Sequence, residues 1–128
     1  MVTGARIAEL SSAQLRIAES QAEIDAATAV MLRNLDEINR LGRAGEVQNL
    51  DDRVRYRRDN AFAAQLSTRA VDRIFPLLGG AGLASDDPIQ RAWRDVHAIA
   101  QHIALIWDLQ GGLWGAVALG QPCPDPRI

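Results

Sequence analysis

Apolar side chains recur every seven residues along the first third of the chain. Leu10, Ile17, Ile24, Met31 and Ile38 form one column, and Ala13, Ala27, Leu35 and Leu41 widen it. That recurrence keeps one face of a helix apolar. Ser11 and Gln14 stand at capping-box spacing just before the pattern, and Gly42 offers a C-terminal cap. The pattern predicts a first helix over 10–42, roughly 30 residues and about 45 Å long. Its far face is charged, with Arg16, Glu23, Arg33, Glu37 and Arg40.

A loop over 43–50 is followed by a second helix over 51–78. Asp51 and Asp52 lie at its N-terminus, where the helix dipole favours acids. Val54, Phe62, Leu66, Val71, Ile74 and Phe75 are its apolar positions, and Pro76 predicts a kink or stop. Gly79, Gly80 and Gly82 then form a helix-ending turn. The run GGAGL lacks both the preceding strand and the following Lys-Ser/Thr of a phosphate loop. Asp87 as cap and Pro88 at the first helical position open a third helix over 87–101. A last helix covers 106–119 on Leu109, Leu113, Trp114 and Val117, weakened by Gly111 and Gly112, and 120–128 is an irregular tail. With no strand pattern and no repeat, the chain is expected to be one all-α domain, an antiparallel helical bundle.

Composition narrows the function classes. The 128 residues carry 14 basic and 16 acidic side chains, so no strong electrostatic footprint points to nucleic acid or to an anionic membrane. A single cysteine, Cys123, excludes a disulfide within the chain and fits a reducing compartment. No leader pattern is visible, and no apolar run approaches the ~18–20 residues of a membrane span. The expectation is a soluble, cytoplasmic protein.

The stretch QRAWRDVHAIAQH, residues 90–102, holds both histidines and one of three tryptophans. Asp87, Arg91 and Asp95 stand four apart and can pair along one helix face, while Trp93, Val96 and Ala100 share another. His102 falls at the helix edge. There it can act as a general base or hydrogen-bond donor, or be a half-buried helix-end histidine bonded to a backbone carbonyl. His97 lies about 140° away around a continuous helix, so the two form no metal pair. With one remote cysteine no zinc set can be assembled, and no metal is expected. His97 reads as a solvated or interface residue. Arg94 and Asp95, with Arg91, can orient a ligand or pin the helix to its neighbours. Arg53, Arg55, Arg57 and Arg58 are interleaved with Asp51, Asp52 and Asp59 and read as a solvated helix turn, with Arg53 and Arg57 able to clamp a phosphate from a partner chain. Trp93, Trp107 and Trp114 read as core or interface anchors.

The run QRAWRDVHAIAQHIALIWD followed by WGAVALGQPCPDPRI resembles the C-terminal end of the acyl-CoA dehydrogenase superfamily. The branch is that of the two-component flavin-dependent monooxygenases, which includes oxygenase components acting on hydroxyphenylacetate, steroid-ring phenols and dibenzothiophene. The motif is Arg91, Trp93, Arg94 and Asp95, then six residues, then His102. The segments AQLRIAESQAEIDAA and RRDNAFAAQLSTRAVDRIF resemble the two long C-terminal helices of that family, so the likeness runs over 13–128.

The resemblance implies a helical part of an enzyme that uses reduced flavin (FMN or FAD) and O2 on an aromatic substrate. It implies that His102 lies beside the flavin, assisting a flavin hydroperoxide or taking the substrate's proton. Arg94 and Asp95 are weaker candidates for cofactor contacts. Family members are about three times longer, with an N-terminal helical domain and a β-barrel ahead of the bundle. The chain is therefore expected to begin inside the bundle, without its first helix. Ile106 and Trp114 stand where Asn and Tyr are common. Activity would then need a partner chain supplying the missing domains. Broad apolar stripes on so few helices also predict a homodimer or larger homo-oligomer. Two alternatives stay open: a flavin-free helical oligomerisation or interaction module, and an acyl-CoA dehydrogenase-like fragment. Against the second, no catalytic Glu is placed as in that branch and no Gly-Thr pair follows the Arg-Asp.

Overall fold

A computed structural model describes residues 6–84 and 86–128; residues 1–5, where a leader was sought, lie outside the described residues. Among the described residues four α-helices follow in order: α1 (Ser11–Ala44), α2 (Leu50–Ile74), α3 (Pro88–Ala100) and α4 (Trp107–Ala118). A short turn of tight helix, Ile103–Leu105, separates α3 from α4. Among the described residues there is no strand, and the all-α expectation holds. No helix among the described residues is long and apolar enough to cross a membrane.

Local chemistry sets most helix ends. The capping box at Ser11 does not form. Leu10 takes the cap position without a side-chain bond, and the Gln14 amide donates to the Ala8 carbonyl at 2.9 Å. Gly42 stays helical. The stop is Gly45, which turns left-handed (φ 68°) so that its N–H and that of Glu46 close on the Gly42 and Leu41 carbonyls. Asn49 opens α2 by accepting from the Asp52 N–H at 2.9 Å. The second helix ends at Ile74 rather than 78, because Pro76 cannot donate into a continuing α-helix. The chain passes into a tighter helix, Phe75–Leu83, broken at Gly79 (φ 58°). The Asp87–Pro88 start of α3 is as expected, with the Asp87 carboxylate accepting from the N–H groups of Ile89 and Gln90 at 2.7 and 3.3 Å.

The buried face of α1 is only one edge of the expected one: Ala13, Ala27 and Leu41 of the widened stripe are buried, and none of the column Leu10, Ile17, Ile24, Met31 and Ile38 is. Ala13, Ser20, Ala27, Asn34 and Leu41 are buried against α2, whereas Ile17 and Met31 are 53% and 44% exposed and Leu35 is exposed too. Both columns repeat at seven. The small-residue column wins because Ala and Ser let the helix axes approach closely. Polar bonds then fix the register. Ser20 donates to the Ala70 carbonyl, Glu23 accepts from Arg69 and Arg73, Asn34 donates to Asp59, and Glu37 accepts from Arg55. Partners descend α2 as the chain climbs α1, so the pair is antiparallel. Glu23, Arg33 and Glu37, expected on a far face, therefore line the α1–α2 seam.

The central rail is α2, which α1, α3 and α4 all pack against. Over its C-terminal half, Trp93 of α3 donates to Asp72 at 2.8 Å and stacks on Phe75 with ring centroids 5.2 Å apart. Over its N-terminal half, Trp107 of α4 meets Phe62 at 5.6 Å, and the Arg58 guanidinium lies 4.4 Å from the Trp114 ring centroid. The third and fourth helices thus form one interrupted rail antiparallel to α2. Leu109, expected as an anchor, is exposed; the buried residue of α4 is Gln110. Gly111 permits the Trp107 ring to lie against the helix, since a Cβ there would meet that ring at 3.2 Å.

Candidate functional site

The interruption between α3 and α4 is where His102 sits. The third helix stops at Ala100, Gln101 follows as its cap, and His102 starts the turn Ile103–Leu105 in an extended conformation. Its ring is exposed, and Nδ1 accepts from the Ala104 N–H at 3.2 Å. The bond runs opposite to the carbonyl contact considered from sequence. With Nδ1 accepting, the neutral ring carries its proton on Nε2, leaving an Nε2–H donor. Ala100 and Leu105, flanking His102, line a groove of about 380 Å³ shared with Met31, Val96 and Ile99. Ile103 and Ala104 line a second groove, against α4 and the C-terminal tail.

His97 is an interface residue. Its Nε2 lies 3.2 Å from the Asp72 carboxylate, its Nδ1 lies 2.9 Å from the Trp93 carbonyl, and its ring packs on the Trp93 indole. Asp72 thus ties α2 to α3 through both Trp93 and His97.

Arg94 and Asp95 are exposed on α3, two turns upstream of His102. Asp95 is 3.8 Å from Arg91, and Asp87 spends its carboxylate on the helix start, so the Asp87–Arg91–Asp95 ladder is one loose surface pair. No hydrogen bond or ion pair involves Arg94 among the described residues. Nothing draws Arg94 or Asp95 into one cluster with His102.

The arginine-rich turn of α2 is not the solvated helix turn expected, because Arg55 and Arg58 are half-buried and bonded to acids. Arg55 binds Glu37, Asp52 and Asn34, and the two carboxylates hold its guanidinium above its ordinary range. Arg58 grips Asp59 through two bonds of 2.6 and 2.8 Å, and Arg57 reaches Asp125 in the tail at 3.4 Å. Asp125 also takes a paired grip from Arg127, at 2.9 and 3.1 Å, and accepts the Arg127 N–H at 3.0 Å. These bonds, first the side chain and then the backbone of Arg127, lower its pKa from 3.8 to about 2. No group of three or more potential metal ligands is present among the described residues.

Two features escaped sequence reasoning. Asn34 and Asp59 are buried together at the α1–α2 seam. Gln110 is 4% exposed; its amide donates to the Ile103 carbonyl at 2.9 Å, but its Oε1 has no hydrogen-bond partner. A signal existed, since Trp107, Gln110, Trp114 and Val117 fall at one-face helical spacing, with a polar residue interrupting the stripe.

The family model described as acyl-CoA dehydrogenase, C-terminal domain, matches residues 1–107. The FADH(2)-dependent resorcinol hydroxylase, oxygenase component, of Rhizobium sp. (strain MTP-10005) is 40% identical over 119 residues, covering 90% of this chain and 29% of that protein. A flavin-dependent monooxygenase oxygenase subunit, HsaA, of Mycobacterium tuberculosis is 39% identical over 116 residues, covering 91% of this chain and 29% of that one. The crystal structure of a 3-HSA hydroxylase from Rhodococcus sp. RHA1 superposes with a TM-score of 0.89 at 31% identity, over 100% of this chain and 33% of that one. The chain spans about a third or less of the length of these relatives.

Proposed function

The chain belongs to the acyl-CoA dehydrogenase C-terminal-domain family, and from that premise we propose that it supplies the C-terminal helical wall of a flavin-dependent monooxygenase acting on an aromatic substrate. The observation that carries this reading is the company it keeps: relatives at 39–40% identity over nine-tenths of the chain are named as flavin-dependent oxygenase components. We assign His102 to the flavin side of that wall. An exposed imidazole between Ile99 and Ile103, both exposed, offers one polar edge on an apolar rim, which fits the border of a planar ring system. Reduced flavin, FMN or FAD, would supply the electrons that activate O2.

What this chain's own residues do follows from the tautomer. Because Nδ1 is engaged by the Ala104 N–H, His102 presents a donor rather than a base. An Nε2–H held in place can bond an oxygen that gains negative charge, at no reorganisation cost during reaction. Proton abstraction would first require the Ala104 bond to break. Arg94 and Asp95, the weaker candidates, are outer contacts in this reading, and the fold leaves their side chains accessible. A partner polypeptide would supply the N-terminal helical and β-barrel domains. The exposed apolar stripe of α1 (Leu15, Ile17, Met31, Leu32 and Leu35) supports assembly as a homodimer or larger homo-oligomer. We place the protein in the cytoplasm, with no nucleic-acid or membrane partner.

The test is an anaerobic titration of reduced FMN and FADH2 into the protein, alone and together with a polypeptide carrying the N-terminal helical and β-barrel domains. We expect micromolar binding with the partner present. His102→Ala should lower product formation about tenfold or more, in keeping with loss of one charge-stabilising donor. Absence of flavin binding in both conditions would replace this reading with a flavin-free interaction module.

A further inference from the structure

The third helix ends two residues before His102, and few groups hold it in place. It has no fully buried residue. Its inner face, Trp93, Val96, His97 and Ala100, is only half-buried, so apolar burial alone fixes its place on α2 weakly. Among the described residues, every side-chain hydrogen bond or ion pair between α2 and α3 ends on one atom, Asp72 Oδ1. The Trp93 indole N–H donates to it at 2.8 Å, and His97 Nε2 lies 3.2 Å from it. The Trp93 ring centroid is 5.2 Å from that of Phe75 and 4.2 Å from that of His97, and His97 Nδ1 is 2.9 Å from the Trp93 carbonyl. One carboxylate oxygen thus orders an indole and an imidazole on successive turns of α3. An ionised acceptor makes the stronger kind of hydrogen bond.

Asp72 makes no bond to His102 or to its turn, and its influence runs through the helix. His102 lies five residues after His97 and nine after Trp93, about 7 and 13 Å along a helical rise. A swing of α3 by roughly ten degrees about Trp93 would displace the far end of that span by about 2 Å. A misplacement of about 1 Å can already cost roughly 10²-fold in rate. We propose that Asp72 is a positioning residue for His102: it holds α3 on α2 through Trp93 and His97, and so fixes where the His102 imidazole stands. The expected effect on activity rests on the reading of His102 as a donor beside the flavin. The hold on α3 does not.

Pulsed electron-spin resonance on the full chain tests the hold. In a Cys123→Ser background, nitroxides on Gln101→Cys and Asp36→Cys, both at exposed positions, read the separation between the end of α3 and α1. Asp72→Ala should broaden the distance distribution about twofold at unchanged helical content. Trp93→Phe, which keeps an aromatic ring and removes the indole N–H, should broaden it too, and serves should the alanine variant fold poorly. Asp72→Asn keeps an acceptor oxygen and should restore most of the narrow distribution. Activity is read with the polypeptide carrying the N-terminal helical and β-barrel domains. There Asp72→Ala should lower flavin-dependent product formation about tenfold, no more than loss of the donor it positions. Asp72→Asn should recover most of that loss. Added to His102→Ala, Asp72→Ala should cost nothing further, because both changes act on one imidazole. An equal fall in both backgrounds would make Asp72 a residue of general stability and overturn the proposal, as would an unchanged distance distribution in Asp72→Ala. Absence of flavin binding with a broadened distribution would sink the flavin reading and leave the hold of Asp72 on α3 standing.

Discussion

Asp59 collects four donors inside the α1–α2 seam: Arg33 and Asn34 on one oxygen, at 2.6 and 3.0 Å, and two nitrogens of Arg58 on the other, at 2.6 and 2.8 Å. Removing such an acceptor leaves the buried Asn34 amide and the half-buried Arg58 without their partner. Asp59→Ala should therefore cost about 2 kcal/mol, read as a lower urea midpoint at unchanged slope. Arg91→Ala, which breaks only the exposed pair with Asp95, should change stability by less than about 0.5 kcal/mol. Asp125 makes a second prediction. Its pKa is lower in the folded chain than the ordinary 3.8, so its stabilising contribution is present above that value and is lost as pH falls towards about 2. The Arg127 amide resonance, which reports the bond to Asp125, should titrate near pH 2. At neutral pH, Asp125→Asn should free the tail, and modification of the half-buried Cys123 thiol should speed up several-fold.

At the scale of the element, the two glycines near the C-terminal end of α1 separate cleanly. Gly42 is helical with open space around its missing Cβ, so Gly42→Ala should stabilise by roughly 0.5–1 kcal/mol. Gly45 holds φ 68°, so Gly45→Ala should destabilise by about 1 kcal/mol. Opposite shifts in thermal midpoint check the pair. Sequence could not choose between these glycines, because the segment RLGRAG offers two candidate stops within four residues. The start of α3 was legible because Asp87 and Pro88 act within one turn of where they stand. The buried column of α1 was legible only in part, through Ala13, Ala27 and Leu41, and its polar members Ser20 and Asn34 were not. Two seven-residue columns three positions apart both suit a helix, and the choice between them depends on what α2 presents across the seam. The arginines of α2 misled for the same reason, since Glu37, Asn34 and Asp125 meet them only after folding. His102 at the end of α3 was legible, but its bond to the Ala104 N–H belongs to the turn and has no pattern in the sequence. Gln110 left only a faint trace, a polar residue in an otherwise apolar stripe, because its bond to the Ile103 carbonyl forms only once the turn before α4 has folded.

For the whole molecule, three rails leave much of α1 uncovered. Leu15, Ile17, Met31, Leu32 and Leu35 are all exposed along it. If this stripe seats a second copy, light scattering should show an oligomer at micromolar concentration. The double substitution Leu32→Glu with Leu35→Glu should then give a monomer of unchanged helical content. A monomer before substitution would remove the homo-oligomer from the proposed function. The small core seen among the described residues, centred on Ala27, Ala63 and Leu66, relies on close approach and ion pairs more than on bulk. That dependence makes the seam sensitive to a change at Asp59 and tolerant of change at Gly42.

The step from Ala100 to Trp107 also works as a phase setting. Each added residue rotates whatever follows by about 100° in helical terms. One alanine inserted after Leu105 would turn Trp107 away from Phe62 and Trp114 from Arg58, and would carry Gln110 off the carbonyl that holds it. Variation in this short connector should therefore run through its chemistry and not its length.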